Sequence, residues 1–420
     1  MGVKMEKYFE KFKKYSFDDL MYIIWGVYIS TTFLDIVAIF FANEICQLCL
    51  KTIRYICYAI CIIRAFYDWK NGEKITLPII AIGILSIIIG ITSHNQNIFL
   101  TLLILIALRR LDFDKLINIA LKIFISYFFI VVSLSILKII PNWEFSRGTL
   151  PRYALGFIYA TDAIGTYLVI ILMYFYVKNS NATYIELIIL ETINIFIFEY
   201  TNGRASFLLI SMILFIQLMS KFEFIRRLFY NEIIQKILKL ACYTLPLFLF
   251  ITFHILVCMY SINNNLANKV NKVLSDRIKY TYQAYRTYDV TLFGSNIEWK
   301  GYGGYKYTNL DEIEEFEYNF VDNSYARMVF DYGIIFSCLI LIGYSFILIE
   351  NCKKKNYKLV FTIFFVLVWS FIEQYIIDIG KNVFVLAFIP IIQMFPINSF
   401  NYNRVRLKIN NKKEEQNEKR

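Results

Sequence analysis

Runs of roughly 18–22 apolar residues recur along this chain, and a helix of that length crosses a hydrocarbon core of about 30 Å. ITLPIIAIGILSIIIGIT and ALKIFISYFFIVVSLSILKII are two of them. The runs do not alternate polar with apolar residues, which sets aside a transmembrane β-barrel. Inside a bilayer each backbone polar group needs a partner within its own segment, so the runs are read as helices. The expected fold is an all-α polytopic membrane protein of about 12 transmembrane helices. The 58% hydrophobic content agrees, since soluble domains sit near 45–50%.

The spans are predicted at about 20–41, 46–64, 75–92, 97–109, 116–140, 158–177, 182–199, 205–220, 240–260, 325–349, 358–377 and 382–396. The chain then divides into a cytoplasmic basic tail (1–19), helices 1–9 (20–260), a polar loop (261–324), helices 10–12 (325–396) and a second basic tail (397–420), expected to be disordered. The stretch KFEFIRRLFYNEIIQKILK is read as an interfacial amphipathic helix. Segments assigned to the inside hold about 28 Lys and Arg against about 15 outside, about seven of the latter in the long loop, so the positive-inside rule puts both termini in the cytoplasm and the loop outside. The net charge of +11 is therefore assigned to membrane orientation, not to nucleic acid. Lipid bilayer is the first partner expected.

Eight cysteines lie mostly in the apolar runs, and His94 and His254 are the only histidines. Neither a disulfide framework nor a zinc site is indicated, and no metal or cofactor is expected.

The loop from Asn263 to Asn323 is too long for a simple connection, because structureless loops beyond about 15 residues are uncommon. It is read as one large, structured extracytoplasmic loop. Val270, Leu274, Ile278 and Tyr282 recur at helical spacing and predict an amphipathic helix lying on the membrane. Tyr302, Tyr305 and Tyr307 offer aromatic faces suited to sugar rings or to a membrane interface. Asp311, Glu312, Glu314, Glu315 and Glu317 read as a solvated face ahead of a cation site.

Cations on the outer side run against the orientation rule. Arg147 and Arg152 precede helix 6, Arg204 opens helix 8, Arg277 and Arg286 lie in the loop, and Arg327 opens helix 10. Guanidinium groups match phosphate geometry with paired hydrogen bonds, so converging arginines suit a lipid-linked pyrophosphate. Snorkelling to lipid headgroups is the plainer account of any one of them. Asp322 and Asn323 stand where helix 10 needs an N-cap; Asp322 is read as that cap, as a general base, or as both. Glu186, Glu191 and Glu199 on helix 7, and Glu373 and Asp378 on helix 11, form a proton path or pair with the arginines; sequence leaves both open.

Four stretches, RYALGF with Thr161-Asp162, TNGRASFLL, SDR followed by LFG, and VDNSYARMVFDYGII, resemble in order and spacing the Wzy-type oligosaccharide repeat unit polymerases of capsule and exopolysaccharide synthesis. The related O-antigen ligases usually carry a His where this chain has Asp322, which favours polymerase over ligase. The resemblance implies a GT-C-like glycosyltransferase in a bacterial cytoplasmic membrane. It would polymerise undecaprenyl-pyrophosphate-linked oligosaccharide on the outer face without a metal. It implies Asp322, Arg204 and Arg277 as catalytic residues, and Arg147, Arg152, Arg327, Asn323 and Tyr325 as substrate-binding residues. A chain-length regulator and a flippase are the further partners it admits. The readings weighed against it are a lipid-linked oligosaccharide flippase or other transporter, a glycan ligase, and a non-catalytic partner in an envelope assembly. The absence of an internal repeat weakens the transporter.

Overall fold

The computed structural model describes residues 16–147, 150–178, 182–224, 227, 232–301 and 319–396, the side chains of Ser146, Arg147 and Ile234 excepted. Residues 1–15 and 397–420 of the tails, the tyrosines 302, 305 and 307 and the acidic run 311–317 therefore lie outside the described residues, while the end of the first tail, from Phe17, is already helix.

About 74% of the described residues are helical. The described elements are α1 (Phe17–Leu34), α2 (Ala38–Phe41), α3 (Glu44–Lys70), α4 (Leu77–Thr92), α5 (Asn97–Leu108) and α6 (Phe113–Ile136). A two-stranded antiparallel hairpin follows, β1 (Glu144–Arg147) with β2 (Leu150–Tyr153). Then come α7 (Ala160–Lys178), α8 (Tyr184–Thr201), α9 (Arg204–Met219), α10 (Glu232–Ser261), α11 (Asn265–Val273), α12 (Arg277–Thr287), α13 (Ser324–Lys353), α14 (Tyr357–Trp369), a 3-10 helix (Val383–Phe388) and α15 (Ile389–Ile392).

Among the described residues, five helices are long and apolar enough to cross a membrane: α3, α6, α7, the Gln235–Ser261 part of α10, and α13. Their outward faces are apolar. Ile45, Leu48 and Tyr55 on α3 and Leu247, Phe248 and Ile255 on α10 are exposed. So large an exposed apolar surface marks contact with lipid or protein. Helix α7 is the most enclosed of the five, packed by α6, α8, α9 and α14.

Two expected spans take another form. The run expected at 358–377 is an α-helix only to Trp369, and the run at 382–396 is a 3-10 helix followed by one turn of α15. Residues 370–382 between them are irregular because polar side chains offer their backbone other partners. The Tyr344 hydroxyl donates to the Ile376 carbonyl at 2.6 Å, Asn382 Nδ2 donates to the same oxygen at 3.0 Å, and Asn382 Oδ1 caps the 3-10 helix at Phe384 N. Irregular backbone inside a membrane-type bundle persists only where such partners exist. Glu373 and Asp378 thus lie on this irregular stretch, not on a helix. The stretch is held at its far end too, where Gln393 Nε2 donates to Arg109 O at 3.0 Å and Thr76 bonds Ile392 O.

The amphipathic helix expected through 270–282 is broken. Ser275 and Asp276 have φ of 56° and 64°, and α11 ends before them. The buried Asn271 makes the break. Its Nδ2 donates to Asp276 Oδ1 at 2.8 Å, and its Oδ1 accepts from Lys279 N at 3.0 Å, capping α12. The apolar stripe itself holds, but it packs on protein: Ile278 is fully buried against a cluster with Phe253 of α10 and Phe330 of α13.

The other end of the loop is locked to α13 by backbone. Helix α13 breaks at Gly333 (φ 82°), and Leu292-Phe293-Gly294 lies against the break. Ser295 N donates to Phe330 O at 2.8 Å, Ile334 N to Thr291 O at 3.1 Å and Ile335 N to Leu292 O at 3.3 Å. A Cβ on Gly333 would stand 2.3 Å from Leu292 O, and one on Gly294 would stand 2.4 Å from Asp331 O. Only glycine permits both the left-handed backbone and this approach.

Candidate active site

The break at 275–276 makes Arg277 the first residue of α12 and turns it inward, leaving its side chain 11% exposed. Its Nε donates to Ile372 O at 2.6 Å and its Nη1 to Leu274 O at 3.1 Å. Its Nη2 faces two carboxylates, Glu373 Oε1 at 3.5 Å and Asp322 Oδ2 at 3.7 Å. Three distant segments, the start of α12, the entry to α13 and the irregular stretch, thus meet on one guanidinium.

Asp322 is free for this because Asn323, not Asp322, is the N-cap of α13. Asn323 Oδ1 accepts from Ala326 N at 3.0 Å and its Nδ2 donates to Phe371 O at 2.7 Å. Asn323 and Tyr325 are both fully buried, and the Tyr325 hydroxyl donates to Leu367 O at 2.7 Å. Both side chains, expected to touch substrate, are instead engaged with the scaffold that aims Asp322.

One cation against two carboxylates leaves an excess negative charge in a poorly hydrated place, where charge is costly. Burial pushes Glu373 up to about 8; Arg277 opposes this, while Asp322 and Asp162 add to it. Burial raises Asp322 as well, but two guanidiniums, Arg277 and Arg327, pull it back. Burial thus favours the protonated form of both carboxylates, and only Asp322 has a second guanidinium to ease its charge. Asp322 lies beside the Arg277 cation and within reach of solvent, at 31% exposure.

Arg327 was expected to support phosphate binding. The structure commits it elsewhere: its Nε donates to Asp331 Oδ2 at 2.7 Å and its guanidinium lies 4.3 Å from the Trp299 ring centroid and 4.8 Å from that of Phe320. Trp299 Nε1 donates to the other Asp331 oxygen at 2.7 Å. A neutralised, stacked arginine is a wall, not an open anion site.

Arg204 differs. Asn202 closes α8 in the left-handed conformation, Gly203 fits against Ile164 of α7, and Arg204 opens α9, exposed. Its Nε donates to Asn202 Oδ1 at 3.3 Å, and among the described residues no carboxylate lies within ion-pair distance of it. Arg152 ties the hairpin to the same turn, its Nε donating to Thr201 O at 2.7 Å. The backbone of Arg147 sits in β1 opposite Leu150, and its side chain lies outside the described residues.

Two residues before Ile164, Asp162 enters a small cavity with Thr161, Glu373 and Lys381. Helix α7 thus links the Arg204 turn to the Arg277 centre. The cavity is about 20 Å³, enough for about one water. Lys381 Nζ is buried there without a hydrogen-bond partner among the described residues. Of the helix-7 carboxylates, Glu186 caps α8 and pairs with Lys178, and Glu191 accepts from Ser211 and Asn194.

Sequence reasoning reached Arg277 and Asp322, and left the role of Glu373 open. It passed over Lys381, although a lysine inside the apolar run IIDIGKNVF is the signal that such reasoning looks for. It also passed over Asp331 and Trp299, for which no local signal exists.

Helix content and five apolar helices of membrane-crossing length among the described residues fit an all-α membrane protein. Comparison of the chain with protein-family models, curated proteins and solved structures finds no match.

Proposed function

We propose that this chain is a membrane glycosyltransferase of the Wzy type, with about 12 membrane passes in a GT-C-like plan and both termini in the cytoplasm. It would join undecaprenyl-pyrophosphate-linked oligosaccharide units on the outer face of a bacterial cytoplasmic membrane. The observation that carries this reading is the Arg277 guanidinium set between Asp322 and Glu373.

In this reading the acceptor hydroxyl oxygen bonds to the anomeric carbon of the donor while the bond from that carbon to the pyrophosphate oxygen breaks. The electron pair leaves on pyrophosphate. The hydroxyl proton passes to Asp322, the carboxylate that faces the Arg277 guanidinium and reaches solvent. Arg204 and Arg277 offset the charge that develops on the leaving group. Arg204 supports this role because it is exposed and carries no carboxylate partner among the described residues. Arg152 positions the Arg204 turn through Thr201.

The test is the glycan size distribution in a strain whose own copy is replaced by Arg204→Ala, Arg277→Ala or Asp322→Asn. Single repeat units should accumulate and long polymer should disappear. Long polymer in all three strains would sink the assignment. Repeat units trapped on the inner face would point to a flippase.

A further inference from the structure

A second cavity in the bundle has no part in the chemistry above. It measures about 250 Å³, and its lining includes Ser324, Gln374 and Tyr375, next to Asn323 and Glu373 in the chain. Its floor is the Arg327–Asp331 pair, and Asn95, Asn97 and Thr101 of the α4–α5 corner line its rim. Asn97 is exposed, so the rim is open to solvent. Tyr28, Tyr58 and Tyr375 add ring faces carrying hydroxyls.

This lining selects among ligands. A lipid tail needs walls that are apolar throughout, and these carry amides, hydroxyls and an ion pair beside Leu100, Met328, Ile376, Ile377 and Ile379. An anion needs an uncompensated cation, but Arg327 is neutralised by Asp331 at 2.7 Å, and Asp378 adds a further carboxylate exposed toward this space. Amide and carboxylate groups arranged with aromatic faces satisfy a ligand that is uncharged, rich in hydroxyls and apolar on its ring faces. The volume falls below the roughly 300–1,000 Å³ taken by drug-sized ligands, which fits one ring and not a chain.

We infer that this cavity binds a single neutral sugar ring of the acceptor, beside Ser324 and Gln374. The acceptor role rests on the glycosyl-transfer reading of the Arg277 centre; the sugar binding does not.

The two are separable by experiment. Full-length protein in detergent micelles is examined by saturation-transfer NMR with free glucose, galactose, N-acetylglucosamine and glucuronate as separate probes. At least one neutral sugar should bind, with glucuronate weaker by about tenfold or more because it meets Asp331 and Asp378. Thr101→Trp, which fills the cavity, should abolish the signal. Asn97→Leu, a rim change at an exposed position, should weaken it by about tenfold through a lost hydrogen bond and serves where Thr101→Trp does not fold. Arg204→Ala should leave sugar binding unchanged. The inference is overturned if no neutral sugar binds the parent protein, if the folded cavity variants bind it equally, or if glucuronate binds as well. Sugar binding together with long polymer in the Arg204→Ala, Arg277→Ala and Asp322→Asn strains would overturn the polymerase reading and keep the cavity assignment.

Discussion

Arg277 holds Ile372 by its carbonyl at 2.6 Å and Glu373 by its carboxylate at 3.5 Å, so one guanidinium fixes two consecutive residues of an irregular strand from 95 positions away. Structure and electrostatics share that side chain. Arg277→Ala leaves two buried carboxylates without their cation, and losses of about 3–5 kcal/mol are usual for breaking such pairs. Proton uptake by Glu373 softens this. Arg277→Lys restores the charge but not the fork that reaches Ile372 and Leu274 together. Thermal denaturation in detergent should rank parent above Lys above Ala.

The raised Glu373 gives stability a pH dependence of definite sign. Its ordinary value is 4.5 and its folded value about 8. Between those limits the folded chain keeps a proton that the unfolded chain has released, so stability falls as pH rises from about 4.5 to about 8. Asp322 is shifted in the same direction. Glu373→Gln keeps the shape and removes the proton. A plot of Tm against pH should slope downward for the parent over this window and lie flatter for the variant. Equal slopes would place the titration elsewhere.

Gly333→Ala sets a Cβ 2.3 Å from Leu292 O at a φ of 82°. The cost is expected at about 2–4 kcal/mol, from strain and from undocking the Leu292–Gly294 segment. Gly90 in α4 has nothing within 4 Å of its virtual Cβ. Gly90→Ala should therefore be neutral or stabilising by up to about 1 kcal/mol. Limited proteolysis between residues 288 and 301 should increase only in the Gly333 variant.

Arg204 separates function from folding. Its side chain is exposed, and among the described residues it bonds only locally, to Asn202. Arg204→Ala should change stability by no more than about 0.5 kcal/mol, yet stop polymer growth. Arg204→Lys should restore part of the activity, since the charge returns without the paired donors. A variant that is inactive because it unfolds would contradict the exposed placement.

The helical character of the chain was legible because lipid-length apolar runs announce themselves. Asp322 was legible as an ionisable residue beside such a run, and Arg277 as a cation on the outer side of the loop. The breaks were not. The left-handed turn at Ser275-Asp276 is held by Asn271, and the irregular stretch after Trp369 by its own Asn382 with Tyr344 of α13; no one of these residue types announces a break in sequence. The exchange of roles between Asp322 and Asn323 has the same origin, since either residue type caps a helix well. Arg327 was misjudged because its neutralising partner Asp331 sits one turn on, a pairing that a search for converging cations overlooks.

The joining of Arg277 to Ile372 also sets a clock. A ribosome adds about 5–20 residues per second, so the 95 residues between them take roughly 5–20 s. Over that interval the arginine has been made and the carbonyl and carboxylate that will hold it have not. The charge centre is thus completed after most of the described helices have been made. A chain halted before residue 372 would have most of its helices and no assembled site.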